Sequence, residues 1–412
     1  MAKNGAPKFF YGYIIVLAGF FIQVVGWGLC STFGVFFNPL LIEFGWTRAM
    51  ISGAFSLSFL ILGFISIIVG GLNDRLGPRM IMVVCGLFLG SGYLLMSQLN
   101  TIWQLYLFYG VIIGIGMSGM DVLSLSTIAR WFVRRRGMMS GIVKAGAGIG
   151  MVIMPPIANW LISSYGWRTS YFIIGIIALA LIILVAQFLR RDPAQMGQLP
   201  DGEEEVNIGC LNSADGGFSF QKAIHTRQFW MLCVIFLLVA FCVEAIIVHI
   251  IPHATDLGIS AVSAANILAV IGGISIIGRF IMGSAGDKAG NRLAIIVCFL
   301  ILLVSLLWML VAKELRMLYL FACVYGFAHG GFFALLSPSV AEFFGLSSHG
   351  VILGAVFCPT TIGGAIGPVL AGHIFDVTSS YQLAFLVFIV VCIVGFILTL
   401  LLKPITNVER AR

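Results

Sequence analysis

Ionisable side chains inside apolar stretches are the residues of this chain that are best placed to do chemistry. Arg279 lies in a long apolar run, where a charge costs roughly 2.5–3.5 kcal/mol on insertion scales. Its guanidinium stays charged and can hold a carboxylate through two parallel hydrogen bonds. Gly272, Ser275 and Gly283 share its helical face, and small residues mark helix contacts or cavity surfaces. Two interpretations follow, a binding site for an anion or a structural ion pair.

Asp121 and Lys144 form a second charged group. Each lies about 12–14 Å from the same end of two consecutive apolar runs, if both runs are helices. This placement predicts that the two side chains pair with each other. The alternatives are that Lys144 is a second cation for the substrate, or that Asp121 is a proton site.

A third group consists of Glu244, His249, His253 and Asp256. The last three are spaced by four and three residues and share one helical face around Pro252. Glu244 lies deeper, among bulky apolar neighbours, and could be a proton carrier or a neutral buried acid. We take Asp256 and Glu244, followed by Asp121, as the candidates for proton coupling.

The elements that position these residues are long apolar runs. The chain has 412 residues, 60% of them hydrophobic and only 9% charged, and its mean hydropathy is +1.09. Soluble domains have about a quarter charged residues, and about 20 apolar residues span a bilayer as a helix. The sequence therefore predicts an all-α integral membrane protein. Its predicted spans are 10–38, 48–71, 80–98, 102–128, 137–163, 168–189, 228–255, 262–285, 293–312, 317–341, 350–375 and 381–402. The first run is too long for the apolar region of a signal peptide, so we take it as a span.

The distribution of positive charge predicts the orientation. With both termini in the cytoplasm, 17 Lys and Arg residues fall on the cytoplasmic side and four on the outer side, as the positive-inside rule requires. We therefore expect a multi-pass protein of the inner (plasma) membrane with both termini cytoplasmic. This asymmetry accounts for the net charge of +7. We therefore expect a lipid bilayer as partner and no nucleic acid.

Enzyme chemistry finds little support in the sequence. The nine cysteines are scattered singly, without a Cys-x-x-Cys pair, so no disulfide framework, metal site or cofactor is expected. The chain has no glycine-rich phosphate loop, helical His–Glu metal array or nucleophile elbow. A transporter is favoured over a membrane enzyme or receptor.

The chain divides near its middle. The polar stretch 190–227 reads as a cytoplasmic linker between six-span domains at 1–189 and 228–412. An offset of 213 residues relates these domains, and it predicts two parallel repeats with the same orientation. The matching pairs are Asp74 and Asp287, Gly77 and Gly290, Arg79 and Arg292, Gly137 and Gly350, Gly141 and Gly354, Gly150 and Gly363, Pro155 and Pro368, and Phe172 and Phe385.

The doubled motif carries a resemblance to a family. "GGLNDRLGPR" (70–79) and "GSAGDKAGNR" (283–292) resemble the loop motif of the major facilitator superfamily. The resemblance implies the major facilitator fold of two parallel six-helix repeats. It also implies a cytoplasmic gate that holds one conformation shut, formed by Asp74, Arg75, Arg79, Asp287, Lys288 and Arg292.

"WFVRRRGMMSGIVKAGAGIG" (131–150) resembles the second signature of the monocarboxylate porters, and bacterial oxalate/formate antiporters are similar to about the same degree. In the porters an arginine of span eight is taken to bind the substrate carboxylate, and Arg279 matches it. The family's acid one turn earlier is Ser275 here. Spans one, four, seven and ten line the cavity in this superfamily, which makes three residues of span ten candidates for the substrate lining: Tyr325, His329 and Phe332. Phe357 in span eleven is a weaker candidate.

We therefore expect proton-coupled symport of a small monocarboxylate such as lactate or pyruvate. The expected partners are a small organic anion and a proton. Exchange of organic anions of the oxalate/formate type is the alternative, since a dicarboxylate would call for two cations in the cavity. Export of cationic drugs is more remote because of Arg279.

Overall fold

The computed structural model describes residues 9–46, 48–202 and 217–403, and the regular elements in these ranges are all helices. A π-helical segment, Tyr106–Ile113, joins α5 to α6. The α-helices are α1 (Gly12–Ser31), α2 (Phe33–Phe44), α3 (Arg48–Leu76), α4 (Pro78–Met96), α5 (Ile102–Leu105), α6 (Gly114–Trp131), α7 (Arg136–Ala186), α8 (Phe220–Ile224), α9 (Arg227–Asp256), α10 (Ala261–Ala289), α11 (Asn291–Met309), α12 (Leu315–Phe344), α13 (His349–Thr378) and α14 (Gln382–Leu401).

Helix α7 contains two membrane crossings. Its 51 residues would extend about 76 Å at 1.5 Å per residue, more than twice the hydrocarbon thickness. Gly166 has φ 77° and ψ 161°, a conformation that interrupts the helix and that a residue with a Cβ rarely adopts. The described residues contain eleven apolar helices of spanning length, and the division of α7 at Gly166 makes twelve crossings, as predicted.

The first predicted span contains a junction between two helices. The sequence predicted one run over 10–38, and a single apolar stretch of spanning length covers Gly12–Phe37, within which α1 ends at Ser31 and α2 runs from Phe33 to Phe44. Thr32 lies at the junction, and its hydroxyl donates to the carbonyl of Leu29, which competes with the regular helical hydrogen bond.

Two pairs of helices join the halves of the bundle. We call α1–α7 the N half and α9–α14 the C half; α3 packs against α13, and the first part of α7 packs against α10. Backbones touch where glycines meet: a Cβ on Gly70 would collide with the carbonyl of Gly350, and one on Gly137 with that of Gly283. These residues are related by the offset of 213, so the two contacts are equivalent.

The contact between α7 and α10 is closest at one end of the bundle. We call the end that holds residues 70–79 and 283–292 the motif side. Farther from it, a Cβ on Gly148 would still lie 2.7 Å from the Arg279 guanidinium. One on Gly272 would meet only Val152, at 3.9 Å, and one on Gly273 would have nothing within 4 Å. The contact between α7 and α10 is therefore closest on the motif side.

Candidate functional site

Arg279 lies on α10 at the centre of the bundle, with 3% of its surface exposed. Its Nη1 donates to the backbone carbonyl of Lys144 in the N half, over 3.0 Å. Its Nε is buried without a hydrogen-bond partner, and no described carboxylate forms a salt bridge with it. A buried guanidinium that bonds to one carbonyl has donors left for an anion.

Asp121 and Lys144 pair with each other. Lys144 Nζ lies 2.6 Å from Asp121 Oδ1, and both side chains are buried. Asp121 also accepts hydrogen bonds from Gln23 Nε2 at 2.9 Å and from Trp27 Nε1 at 3.2 Å. Gln23, Trp27 and Lys144 all belong to the N half, so the hydrogen bonds that hold this carboxylate come from one half of the bundle.

Aromatic rings flank the Lys144 ammonium on both sides. The Trp27 ring of α1 is centred 5.3 Å from Nζ, and the Phe333 ring of α12 is centred 5.7 Å away. Both rings are half-buried, and both distances permit cation–π attraction. Rings from opposite halves thus meet at one cation, which places it between the halves.

Glu244 on α9 lies at the same level of the bundle. Its charge interacts with those of Lys144 and Arg279. The side chain is half-buried, and no hydrogen bond to its carboxyl group is present within the described part of the chain. Glu244 therefore differs from Asp121, whose carboxylate is occupied by three donors.

On α12, the side chains near the centre are Tyr325, His329 and Phe333. The His329 ring lies 6.1 Å from that of Tyr325 and 5.3 Å from that of Phe333. The predicted stripe ended instead at Phe332, which is fully buried and packs on Phe299 of α11, 4.9 Å between ring centres. Phe332 and Phe333 are seven and eight residues after Tyr325, so both lie within about 100° of Tyr325 around the helix. Periodicity does not distinguish them, and packing decides which ring lies near the centre.

The remaining predicted residues lie farther from this centre or inside a helix contact. Asp256 is exposed at the end of α9 opposite the motif side. Phe357 is buried in α13, with 5% exposed. His249 contacts the hydroxyl of Tyr381 at 3.1 Å and the carbonyl of Pro368 at 2.9 Å, so it joins helices within the C half.

The two motif aspartates form hydrogen bonds between the halves. Asp74 accepts hydrogen bonds from the amides of Gly350 and Val351, at 3.1 and 3.0 Å. Asp287 accepts from the amides of Gly137 and Met138, at 2.6 and 2.8 Å. A carboxylate at a helix N-terminus satisfies free N–H groups and stabilises the dipole. Each half thus caps a helix of the other.

Arg79 and Arg292, two basic residues of the motif, bind within their own halves. Arg79 binds the side chain of Gln187 at the end of α7. Arg292 donates to the carbonyls of Thr399 and Leu400 at the end of α14. Each therefore ties together two helices of its own half, while Arg75 and Lys288 are exposed.

Two residues that the sequence did not single out complete the motif side. Arg130 at the end of α6 bridges Asp74, at 3.1 Å, and Asp192 of the linker, at 3.4 Å. Asp201, also in the linker, accepts from the amides of Val133 and Arg134, each at 2.9 Å. The described part of the linker thus contacts the helix ends that close this side.

Gln23, Trp27 and Phe333 were also missed. Gln23 and Trp27 are four residues apart on α1, so their spacing could have shown a polar face. Their partner Asp121 is 98 residues from Gln23, and nothing local indicates it. Among the described residues no group of three or more His, Cys, Asp or Glu side chains could hold a metal ion.

These features define a class of protein. Twelve helical crossings, two equivalent sets of contacts between the halves and buried charges at the centre belong to a secondary transporter of the membrane, not to an enzyme. The sequence profile of the Major Facilitator Superfamily matches residues 15–312 and 237–412. The chain belongs to this superfamily.

Its relatives share most of their length with it. Monocarboxylate transporter 13 of Rattus norvegicus is 28% identical over 390 residues, which cover 93% of this chain and 87% of the relative. An uncharacterized MFS-type transporter, YhjX of Escherichia coli (strain K12), is 26% identical, with 85% of each chain covered. The crystal structure of the E. coli fucose:proton symporter FucP superposes with a TM-score of 0.72 at 17% identity, covering 97% of this chain and 100% of that chain.

Proposed function

We propose that the protein carries a small monocarboxylate together with a proton, in the manner of lactate or pyruvate symport. The observation that carries this proposal is the state of Arg279. Its guanidinium is buried between the halves, bonds to one backbone carbonyl and keeps a buried Nε without a partner. A substrate carboxylate would fill these donors. The relatives named as monocarboxylate transporters support the same substrate class.

The charges at the centre favour a monoanion over a dianion. Lys144 is neutralised by Asp121, which leaves Arg279 as the cation without an acidic partner in the described part of the chain. Exchange of dicarboxylates would require a second free cation. A cationic substrate is disfavoured for the converse reason, because Arg279 would repel it.

Glu244 is the acid that we propose to carry the proton. It lies within electrostatic reach of Arg279 and Lys144, and its carboxyl group has no donor to hold it ionised among the described residues. Asp121 has three donors, and Asp256 lies at the exposed end of α9. Protonation of Glu244 would offset the charge that the substrate anion brings to the site.

Transport proceeds by closing the two ends of the bundle in turn. In the conformation described, Asp74 and Asp287 join the halves on the motif side, and we place the access path to the site on the opposite side. Release on the motif side requires both caps to separate and the halves to rock about the site. We place the motif side and both termini in the cytoplasm and the protein in the plasma membrane (the inner membrane in a bacterial cell).

Uptake of labelled L-lactate into proteoliposomes tests the proposal. We expect an inward proton gradient to accelerate uptake and an uncoupler to abolish this gain. Arg279→Gln should eliminate uptake, because the carboxylate loses its charged fork. Arg316→Gln, at an exposed arginine near the start of α12, is the matched control and should keep uptake. Normal transport by Arg279→Gln in correctly inserted protein would contradict the proposed site.

A further inference from the structure

His329 carries a polar atom for which the described residues provide no partner. Its side chain lies on α12 with 9% of its surface exposed. Nδ1 is buried and makes no hydrogen bond. Buried ring nitrogens in proteins are nearly always hydrogen-bonded, so this one calls for an explanation.

The position of the ring points to the transport site. The backbones of α12 and α10 touch beside it, where a Cβ on Gly330 would collide with the carbonyl of Ser275. Ser275 is one turn from Arg279. The ring lies within electrostatic reach of both Arg279 and Lys144, and the next turn of α12 presents Phe333, whose ring flanks the Lys144 ammonium.

The chemistry of the neighbours limits what can pair with Nδ1. The Arg279 guanidinium donates to the carbonyl of Lys144, and the Lys144 ammonium donates to Asp121. Tyr325 lies one turn away, but its hydroxyl already donates to the carbonyl of Val243, at 2.6 Å. Nδ1 is therefore left without a partner among the described residues, in a ring that contacts Phe333 beside the Lys144 ammonium.

We propose that His329 Nδ1 hydrogen-bonds a hydroxyl group on carbon 2 of the substrate and so selects 2-hydroxy monocarboxylates over their unsubstituted counterparts. This inference rests on the proposed function, and it adds a specificity-determining residue to it. A hydroxyl group can donate or accept, so it satisfies Nδ1 in either neutral tautomer of the ring. An unsubstituted acid of the same length would leave the nitrogen buried and unpaired.

The test compares two acids of equal length. L-lactate and propionate differ by the 2-hydroxyl group alone. For the wild-type protein we expect lactate to compete for transport roughly tenfold more tightly than propionate, the size of a net hydrogen bond in a buried site. Competition constants are measured against labelled lactate in proteoliposomes and checked by thermal stabilisation of the purified protein with each acid.

Variants at His329 separate the hydrogen bond from the shape of the site. Asn places its amide near the position of Nδ1, and Gln places its amide near that of Nε2. His329→Asn should therefore keep the preference for lactate, whereas His329→Gln and His329→Phe should bring the ratio close to one. The loss should fall on lactate and leave propionate binding nearly unchanged.

The outcomes distinguish this inference from the function on which it rests. If the wild-type protein takes up both acids with equal affinity, or if His329→Phe keeps the lactate preference, the role of His329 is wrong and monocarboxylate transport stands. If neither acid is bound or carried, the proposed function is wrong, and the inference falls with it.

Discussion

Four charged side chains occupy the centre of this molecule, and their surroundings assign different roles to them. Asp121 and Lys144 neutralise each other, and Gln23 and Trp27 hold the carboxylate in place. Removing one member of a buried pair leaves an uncompensated charge, which is strongly destabilising. The pair is thus part of the architecture of the N half, while Arg279 and Glu244 keep polar atoms available.

At the residue scale, Glu244→Gln should uncouple transport from the proton. The amide cannot release or bind a proton between pH 4 and 9, so uptake should no longer respond to a proton gradient. Exchange of internal for external lactate should continue, because the substrate contacts remain. The measurement compares gradient-driven uptake with counterflow in the same proteoliposomes.

Asp256→Asn is the matched control for Glu244→Gln, since it changes an exposed acid of the same helix. It should leave gradient-driven uptake intact. If Asp256→Asn uncouples transport and Glu244→Gln does not, the proton site lies at the end of α9 and our assignment is wrong.

At the scale of elements, a cluster of side chains joins the end of α2 to α7. On the side opposite to the motif side, Glu43 near the end of α2 binds Arg168 and Trp167, which follow the break at Gly166 in α7. The Arg168 guanidinium also stacks on the Trp167 ring, 4.2 Å from its centre. This cluster holds α2 against the second part of α7.

The hydrogen bond from Arg168, followed by that from Trp167, holds the pKa of Glu43 below its ordinary value of 4.5. A carboxyl group whose pKa is lower in the folded state stabilises the fold fully above its unfolded pKa, and it loses this contribution as the pH falls through the folded pKa. As the pH is lowered below about 4.5, we therefore expect the thermal midpoint of unfolding to decrease more in the wild-type protein than in Glu43→Gln.

The difference between Glu43→Gln and wild type should stay small, at most about 1 kcal/mol near neutral pH, because both partners are substantially exposed. Thermal unfolding of both proteins between pH 3 and 7 measures it. Parallel curves over this whole range would show that the cluster contributes no charge-dependent stability.

At the scale of the whole molecule, the motif side is closed by two equivalent caps. Asp74 is bonded to the N-terminus of α13 and Asp287 to that of α7. Neither cap can open alone if the halves move as rigid bodies, because both lie on the same interface. The linker adds Asp192 and Asp201 to this side, and both bind the N half.

Loss of one cap should therefore open both. Replacement of an N-cap side chain by alanine costs about 0.5–2 kcal/mol, so Asp74→Ala should shift the population toward the conformation open on the motif side by about tenfold. Hydrogen–deuterium exchange should accelerate at residues 350–351, where the cap is lost. It should also accelerate at 137–138, where the cap by Asp287 remains.

Asp287→Ala should give the reciprocal result, with accelerated exchange at both pairs of amides. If each substitution affects only the helix end that it capped, the helix ends fray locally and the halves do not separate as rigid bodies. The double variant should add the two effects in free energy.

Local pattern determined most of the architecture. Apolar runs of spanning length must become helices in a bilayer, and the offset of 213 residues predicted two parallel repeats with the same orientation. The isolated charge of Arg279 in an apolar run marked it as a candidate whatever the fold. These inferences need only composition, spacing and the energetic cost of a charge in hydrocarbon.

Tertiary structure decided which side chains meet. Periodicity placed Phe332 and Phe333 on one broad face, and packing against Phe299 turned the first away from the centre. No local pattern indicated that Asp121 would receive hydrogen bonds from α1, or that each motif aspartate would cap a helix of the opposite half. Such partners lie 94 to 277 residues apart, and their pairing depends on how whole helices cross, which the sequence encodes only through the packing of the complete bundle.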